Sequence, residues 1–185
     1  MSSPSPVSSP FWSLSPFAAE GLLNVIIDTP KGSRNKYKYD PAVGLFKVGH
    51  VLPAGAVFPY DFGYLPSTKG GDGDPLDVLV LLDEPAFVGC LTPARLIGVI
   101  EAEQTSQGKT QRNDRFLAVA VEAQLYRDVQ AIDQVNPHLL DELEHFFRSY
   151  NELRGKQFKP LGRSGPKRAQ QMIEENLRAQ HLRIA

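Results

Sequence analysis

Gly70-Gly71-Asp72-Gly73-Asp74-Pro75-Leu76-Asp77-Val78-Leu79-Val80-Leu81-Leu82 sets three carboxylates at the head of a strand-sized apolar block. The aliphatic run from Val78 to Leu82 has the length expected of a buried strand. Asp72 and Asp74 are two apart, so an extended backbone aims both to one side, while Gly73 permits unusual dihedrals and Pro75 stiffens the turn. Carboxylates held this close repel unless something positive lies between them, and hard divalent cations such as Mg²⁺ choose oxygen ligands of this kind. An EF-hand is excluded, because Leu76 stands where that loop needs a ligand and Asp77 where it needs Gly. A solvated Gly-Asp-Pro turn is the competing reading of the block taken alone.

Charge is segregated around it. Residues 70–94 contain five acids (Asp72, Asp74, Asp77, Asp83, Glu84) and no Lys or Arg. Residues 154–168 reverse the bias with Arg154, Lys156, Lys159, Arg163, Lys167 and Arg168 and no acid, and Lys31, Arg34, Lys36 and Lys38 add a second basic segment. Acids facing bases suit a phosphate bridged by Mg²⁺ on one side and clasped by Lys and Arg on the other. Solvated surface charge accounts for some of the same bases.

Further out, short β-rich blocks punctuated by Gly and Pro predict strands over 22–28, 36–39, 45–51, 76–82, 94–101 and 115–121. So many short strands in about 100 residues predict a small barrel or a strongly twisted sheet. From Leu139 through Leu140, Leu143, Phe146, Phe147 and Tyr150 to Leu153, apolar residues recur at three- and four-residue steps, which predicts a helix over 136–153 with Asn136 as cap, Pro137 first and Gly155 after its end. A second helix is predicted over 166–180, with Ala169, Met172, Ile173 and Leu177 inward. The fold class expected is α+β, mainly β, with two C-terminal helices packed on the barrel.

The whole chain has 185 residues, 42% of them apolar, and 20 Lys+Arg against 21 Asp+Glu. A domain of this size buries about two-thirds of its unfolded surface, so it needs no metal or disulfide to fold and any metal has chemical work. Near-neutral charge argues against a surface that grips nucleic acid throughout. The single Cys90 excludes an intramolecular disulfide and fits a reducing, cytoplasmic setting. No apolar run approaches a membrane span. Residues 1–20 read as a mobile Ser/Pro-rich arm that Phe11, Trp12 and Phe17 could pin to the domain or to a neighbouring subunit, and 21–185 as a single domain. Neither a GxxxxGK[ST] loop nor a GxGxxG fingerprint occurs, and His50, His138, His145 and His181 lack metal-ligand spacing.

Three blocks in order, Lys36-Tyr37-Lys38-Tyr39-Asp40, then Phe58-Pro59-Tyr60-Asp61-Phe62-Gly63-Tyr64, then Asp72-Gly73-Asp74-Pro75-Leu76-Asp77-Val78-Leu79-Val80, resemble the soluble inorganic pyrophosphatase family. The resemblance runs from about Asn24 to Tyr150 and more weakly to the end. It implies a compact barrel of the oligonucleotide-binding type, closed or twisted, and Mg²⁺-dependent hydrolysis of pyrophosphate to two phosphates. Position by position, it implies that Asp72 and Asp77 are metal ligands, with Asp77 bridging two cations, and that Asp74 handles the proton of the attacking water. Lys36 matches a phosphate-binding lysine, Arg115 stands where a lysine is usual, and Tyr150 matches a tyrosine that hydrogen-bonds the substrate. Lys38 and Lys156 are expected to add to the phosphate contacts.

The departures from the family pattern are specific. Asp28 replaces a Glu at the end of the first strand and is expected among the metal ligands; Lys38 replaces another Glu. His50 stands for an arginine, Phe58 and Phe62 for tyrosines, and Asn151 for a lysine. Two further Asp ligands fall on or near Gln104 and Asn113, in a stretch about four residues longer than the family pattern predicts. A register shift of one would bring in Glu103 and Asp114, of which Asp114 is the favoured ligand. Lys38 would place a fixed positive charge where another member uses a cation. Alternative readings are a hydrolase of another small phosphoanhydride, and an inactive module that binds phosphate or nucleic acid. A repelling acidic trio beside phosphate serves a binder poorly, so nucleic acid is not the expected partner. Self-association into a homo-oligomer is expected from the family.

Overall fold

The computed structural model describes residues 10–184; residues 1–9 of the Ser/Pro-rich segment, residue 185 and the side chains of Pro10, Trp12, His181 and residues 182–184 lie outside the described residues. Among the described residues there are nine strands, β1 (Leu23–Thr29), β2 (Asn35–Asp40), β3 (Leu45–Val51), β4 (Asp61–Tyr64), β5 (Asp77–Leu81), β6 (Leu91–Ser106), β7 (Lys109–Arg112), β8 (Arg115–Ala120) and β9 (Gln157–Ser164). The α-helices are α1 (Pro10–Ser13), α2 (Pro137–Glu152) and α3 (Pro166–Ile184). β1, β4, β5, β8 and β6 pair in that order, and β6 returns to β1, which closes a five-stranded ring. Every step is antiparallel except β5–β8. Closure removes the exposed edges that an open sheet would carry.

The 16-residue β6 makes the closure possible because different stretches of it serve different partners. Leu91 to Ala94 pair with β1, the middle pairs with β8 across an irregularity at Leu96/Gly98, and the far end pairs with β9 and β7. Two glycines mark where backbones approach too closely for a side chain. A Cβ on Gly63 would lie 2.3 Å from the carbonyl oxygen of Ile26, and one on Gly98 would lie 2.7 Å from the Cβ of Ile132.

Val25, Ile27, Leu79, Ile97, Val99, Phe116 and Leu117 of the ring strands belong to one apolar core with Phe147 of α2 and Ile173 of α3. Burying each such large side chain stabilises the fold by roughly 1.5–3 kcal/mol. α2 begins as its sequence indicates: Asn136 accepts a hydrogen bond from the His138 N–H, Pro137 occupies the first turn, and Leu140, Leu143 and Phe147 face inward. α3 buries Ala169 and Ile173, one turn apart, and packs along β6. Among the described residues no helix is long and apolar enough to cross a membrane.

β2 and β3 form a separate two-stranded sheet. Its base is packed by a small cluster of Tyr39, Tyr64, Ile26, Phe46 and Phe11, with the Phe11 ring 5.3 Å from those of both Tyr39 and Phe46. The segment around α1 is therefore pinned by Phe11, and Phe17 adds an antiparallel bridge to Leu23. Three strands exceed the sequence expectation. β4 contains Gly63 and follows Pro59, β7 is wholly polar, and β9 carries Pro160 and Gly162, which an outer strand tolerates and which hide its pattern.

Candidate active site

The parallel register of β5 and β8 sets Asp77 opposite Arg115, and Arg115 Nη1 lies 2.7 Å from Asp77 Oδ2. Arg115 is 4% exposed, with its guanidinium centre 4.9 Å from the Phe147 ring centroid and 5.4 Å from that of Phe158. A planar, weakly hydrated cation suits such an aromatic niche better than an ammonium would.

The loop before β5 is held by its own hydrogen bonds. Gly70 N–H donates to the Asp74 carbonyl (2.6 Å), Asp74 N–H to Asp72 Oδ1 (3.1 Å) and Leu76 N–H to Thr68 Oγ1 (2.9 Å). Gly73 takes φ +87°, a conformation that glycine reaches without strain. From the facing side, β2 presents two lysines two residues apart. Lys36 Nζ donates to Asp28 Oδ1 (2.5 Å) and lies 4.2 Å from the Phe62 ring centroid; Lys38 Nζ donates to Asp74 Oδ1 (2.6 Å). α2 and the residues after it supply the third side. The Tyr150 hydroxyl shares a hydrogen bond with His50 Nε2 (2.7 Å) and accepts from Arg154 Nη1 (3.2 Å). Asp28, Lys36, Lys38, Asp72, Asp74, Asp77, Arg115, Tyr150 and Lys156 all line one cavity of about 280 Å³.

Burial dominates the electrostatics. It pushes the Asp77 carboxyl up to about 6, against the opposing pull of Arg115 and Lys36. It also raises Asp28 despite Lys36, and Asp72, where the charge of Asp74 adds to the effect. His50 is held down to about 4, first by burial and then by Arg154, Lys36 and Lys156, so it is neutral at pH 7. Burial lifts Tyr150 to about 12, which keeps its phenol protonated.

Asp114, the favoured ligand by sequence, is absent from the wall of this cavity and lies in a neighbouring hollow that Asp72 and Asp77 also line. Its Oδ1 accepts from the Ala102 N–H (2.9 Å) and from Arg112 Nη2 (2.7 Å), and it lines a second hollow on the α3 side. Asn113 and Gln104 face the cavity instead. The cause is alternation: Asn113 is two residues from Arg115 and shares its side, whereas Asp114 and Glu103 fall on the other. Asn113 Nδ2 donates to Gln104 Oε1 (2.9 Å) and Arg115 Nη1 to Asn113 Oδ1 (2.5 Å). The β6–β7 hairpin, turning at Gln107 and Gly108, lies between these two amides. Asn151, where a lysine was expected, donates to the Phe147 carbonyl (2.8 Å). Arg154, which the sequence marks only as part of a basic segment, lines the site; its four-residue spacing from Tyr150 across the end of α2 is the signal for it.

Asp72 and Asp77 offer anionic oxygens to the same cavity. That donor set fits Mg²⁺, which keeps several waters and takes one or two carboxylates. Among the described residues, no group of three or more His, Cys, Asp or Glu is placed to hold a metal ion.

Comparison with known proteins gives a family model described as inorganic pyrophosphatase, matching residues 25–181. The inorganic pyrophosphatase of Nostoc sp. is 36% identical over 159 residues, covering 86% of this chain and 92% of the relative. That of Synechocystis sp. is 40% identical over 142 residues, covering 77% and 82%. The crystal structure of inorganic pyrophosphatase from Thermus thermophilus superposes with a TM-score of 0.83 at 32% identity, covering 92% of this chain and 98% of that one.

Proposed function

The chain belongs to the inorganic pyrophosphatase family, and we propose that it hydrolyses pyrophosphate to two phosphates in the cavity between β2, the Gly70–Asp77 loop and α2. The observation that carries the assignment is the convergence of Asp72, Asp74 and Asp77 with Lys36, Lys38 and Arg115 on one small cavity, from three separate elements of the fold.

Asp72 and Asp77 would hold Mg²⁺, which when bound supplies a more acidic water and screens phosphate charge. The chain's own groups do the rest. Asp74 stands at the mouth beside them, half-exposed, and takes the proton of the water whose oxygen attacks phosphorus. As that P–O bond forms, the bridging P–O bond breaks and its electron pair leaves on the second phosphate. Lys36, Arg115 and the Tyr150 hydroxyl meet that charge, and Lys38 and Lys156 steady the substrate from the rim. The Lys38–Asp74 pair is exposed enough to exchange readily, so an arriving phosphate can draw Lys38 off Asp74 and free its carboxylate. Asp28, buried against Lys36, fixes the direction of that lysine.

A cytoplasmic location, with the single free Cys90, and homo-oligomeric assembly belong to the same reading. Phosphate release from pyrophosphate by wild type and by Asp74→Asn tests the assignment. The variant should lose at least about 100-fold in kcat, the scale of a lost general base; an Asp74→Asn enzyme as fast as wild type removes Asp74 from its role.

A further inference from the structure

We infer that this site is built to take a single divalent ion, at Asp72 and Asp77, with the Arg115 guanidinium and the Lys38 ammonium standing, before substrate arrives, where further cations would otherwise be required. The inference rests on the hydrolase reading above and departs from the pair of cations that the family resemblance implies.

Three of the four carboxylates in the cavity are already paired with a side-chain cation: Asp28 with Lys36, Asp74 with Lys38 and Asp77 with Arg115. Asp72 is different. Among the described residues its Oδ1 receives the Asp74 N–H, and no ion pair reaches it. An entering ion therefore finds uncompensated negative charge at Asp72 and shares Asp77 with Arg115.

The opposite wall explains why a second ion lacks a seat. A single nitrogen, Arg115 Nη1, pairs with Asp77 Oδ2 (2.7 Å) and donates to Asn113 Oδ1 (2.5 Å), so it bridges the two walls as a metal ion would. Asn113 and Gln104 are neutral, and both amide oxygens already accept, Gln104 Oε1 from Asn113 and Asn113 Oδ1 from Arg115. Asp114, in the neighbouring hollow that Asp72 and Asp77 also line, and Glu101 are both held by Arg112. Lys38 closes Asp74 in the same manner at the mouth. With Lys36, Arg154 and Lys156 also facing the cavity, fixed cations already outnumber carboxylates, so each added dication meets growing repulsion.

Mn²⁺, countable in free and bound form by electron paramagnetic resonance, is the probe, titrated into the full chain at pH 7.5 without pyrophosphate. One Mn²⁺ should bind per wild-type chain up to about millimolar free metal, the range in which weak carboxylate sites fill. Asp72→Asn should abolish it. Lys38→Glu combined with Asn113→Asp should raise the count to two or more, with circular dichroism confirming the fold. Two or more ions on wild type, or none, overturn the inference whatever the double variant does, and so does a folded double variant that still binds one. Phosphate release measured on the same samples keeps the two claims apart. Turnover with two ions bound preserves the hydrolase and refutes the count; one bound ion without turnover does the reverse.

Discussion

Replacing Asp77 by Asn should stabilise the metal-free protein at neutral pH while removing its activity. Burial lifts this carboxyl from the ordinary 3.8 to about 6. A group whose folded pKa lies above its unfolded value keeps its proton longer in the native state. Its stabilising effect is full below pH 4 and is lost as pH rises through 6. A shift of about two units amounts to about 3 kcal/mol at 1.36 kcal/mol per unit. Asn resembles the protonated carboxyl in shape and does not ionise. The two proteins should therefore be about equally stable at pH 4, and Asp77→Asn should gain up to about 3 kcal/mol by pH 7, worth roughly 6–12 °C in Tm for a chain of this size. The assay is urea unfolding by circular dichroism with EDTA present, both proteins at matched pH from 4 to 7.5. Working with the difference cancels His50, whose lowered pKa tilts the curve the other way, because folding resists its protonation as pH falls from 6.5 towards 4. Millimolar Mg²⁺ should narrow the gap by binding only wild type. A stability difference that stays flat across the pH range refutes the burial argument.

Other substitutions probe separate parts of the account. Tyr150→Phe should raise KM for pyrophosphate about ten-fold in steady-state kinetics, the scale of one hydrogen bond to a charged group, because its hydroxyl links His50 and Arg154 at the cavity wall. Phe147→Ala should cost about 3–5 kcal/mol in urea unfolding, since this ring is 1% exposed and underlies Arg115. Gly63→Ala forces a methyl against the Ile26 carbonyl where β1 meets β4 and should cost at least about 1–3 kcal/mol; an unchanged unfolding midpoint would contradict the packing described.

The acidic block from Asp72 to Asp77 was legible because Gly, Pro and the aliphatic run behind it leave few conformations open. Lys36 and Lys38 were legible for a similar reason, since two lysines two apart on a strand share a face. The register near Asp114 was not. A one-residue slip exchanges the two faces of a strand, and the β6–β7 hairpin between Gln104 and Asn113 hides that count from the chain order. Asn113 faces inward because it is two residues from Arg115, and Gln104 meets it from the other end of the hairpin. β9 stayed hidden because Pro160 and Gly162 interrupt its alternation, and β6 ran past its predicted end because its far partners, β7 and β9, come later in the chain. Ring closure was open to inference only as a choice between barrel and twisted sheet, since nothing local in Leu23–Thr29 announces that it will meet both Tyr64 and Thr92.

Colorimetric phosphate release from pyrophosphate by the purified full chain, with Mg²⁺ and with EDTA, is the most direct trial of the reaction assigned to this cavity. Two phosphates per pyrophosphate with Mg²⁺, and none above background with EDTA, is the predicted outcome. No release at any Mg²⁺ concentration, from protein whose circular dichroism shows a folded barrel, would contradict it.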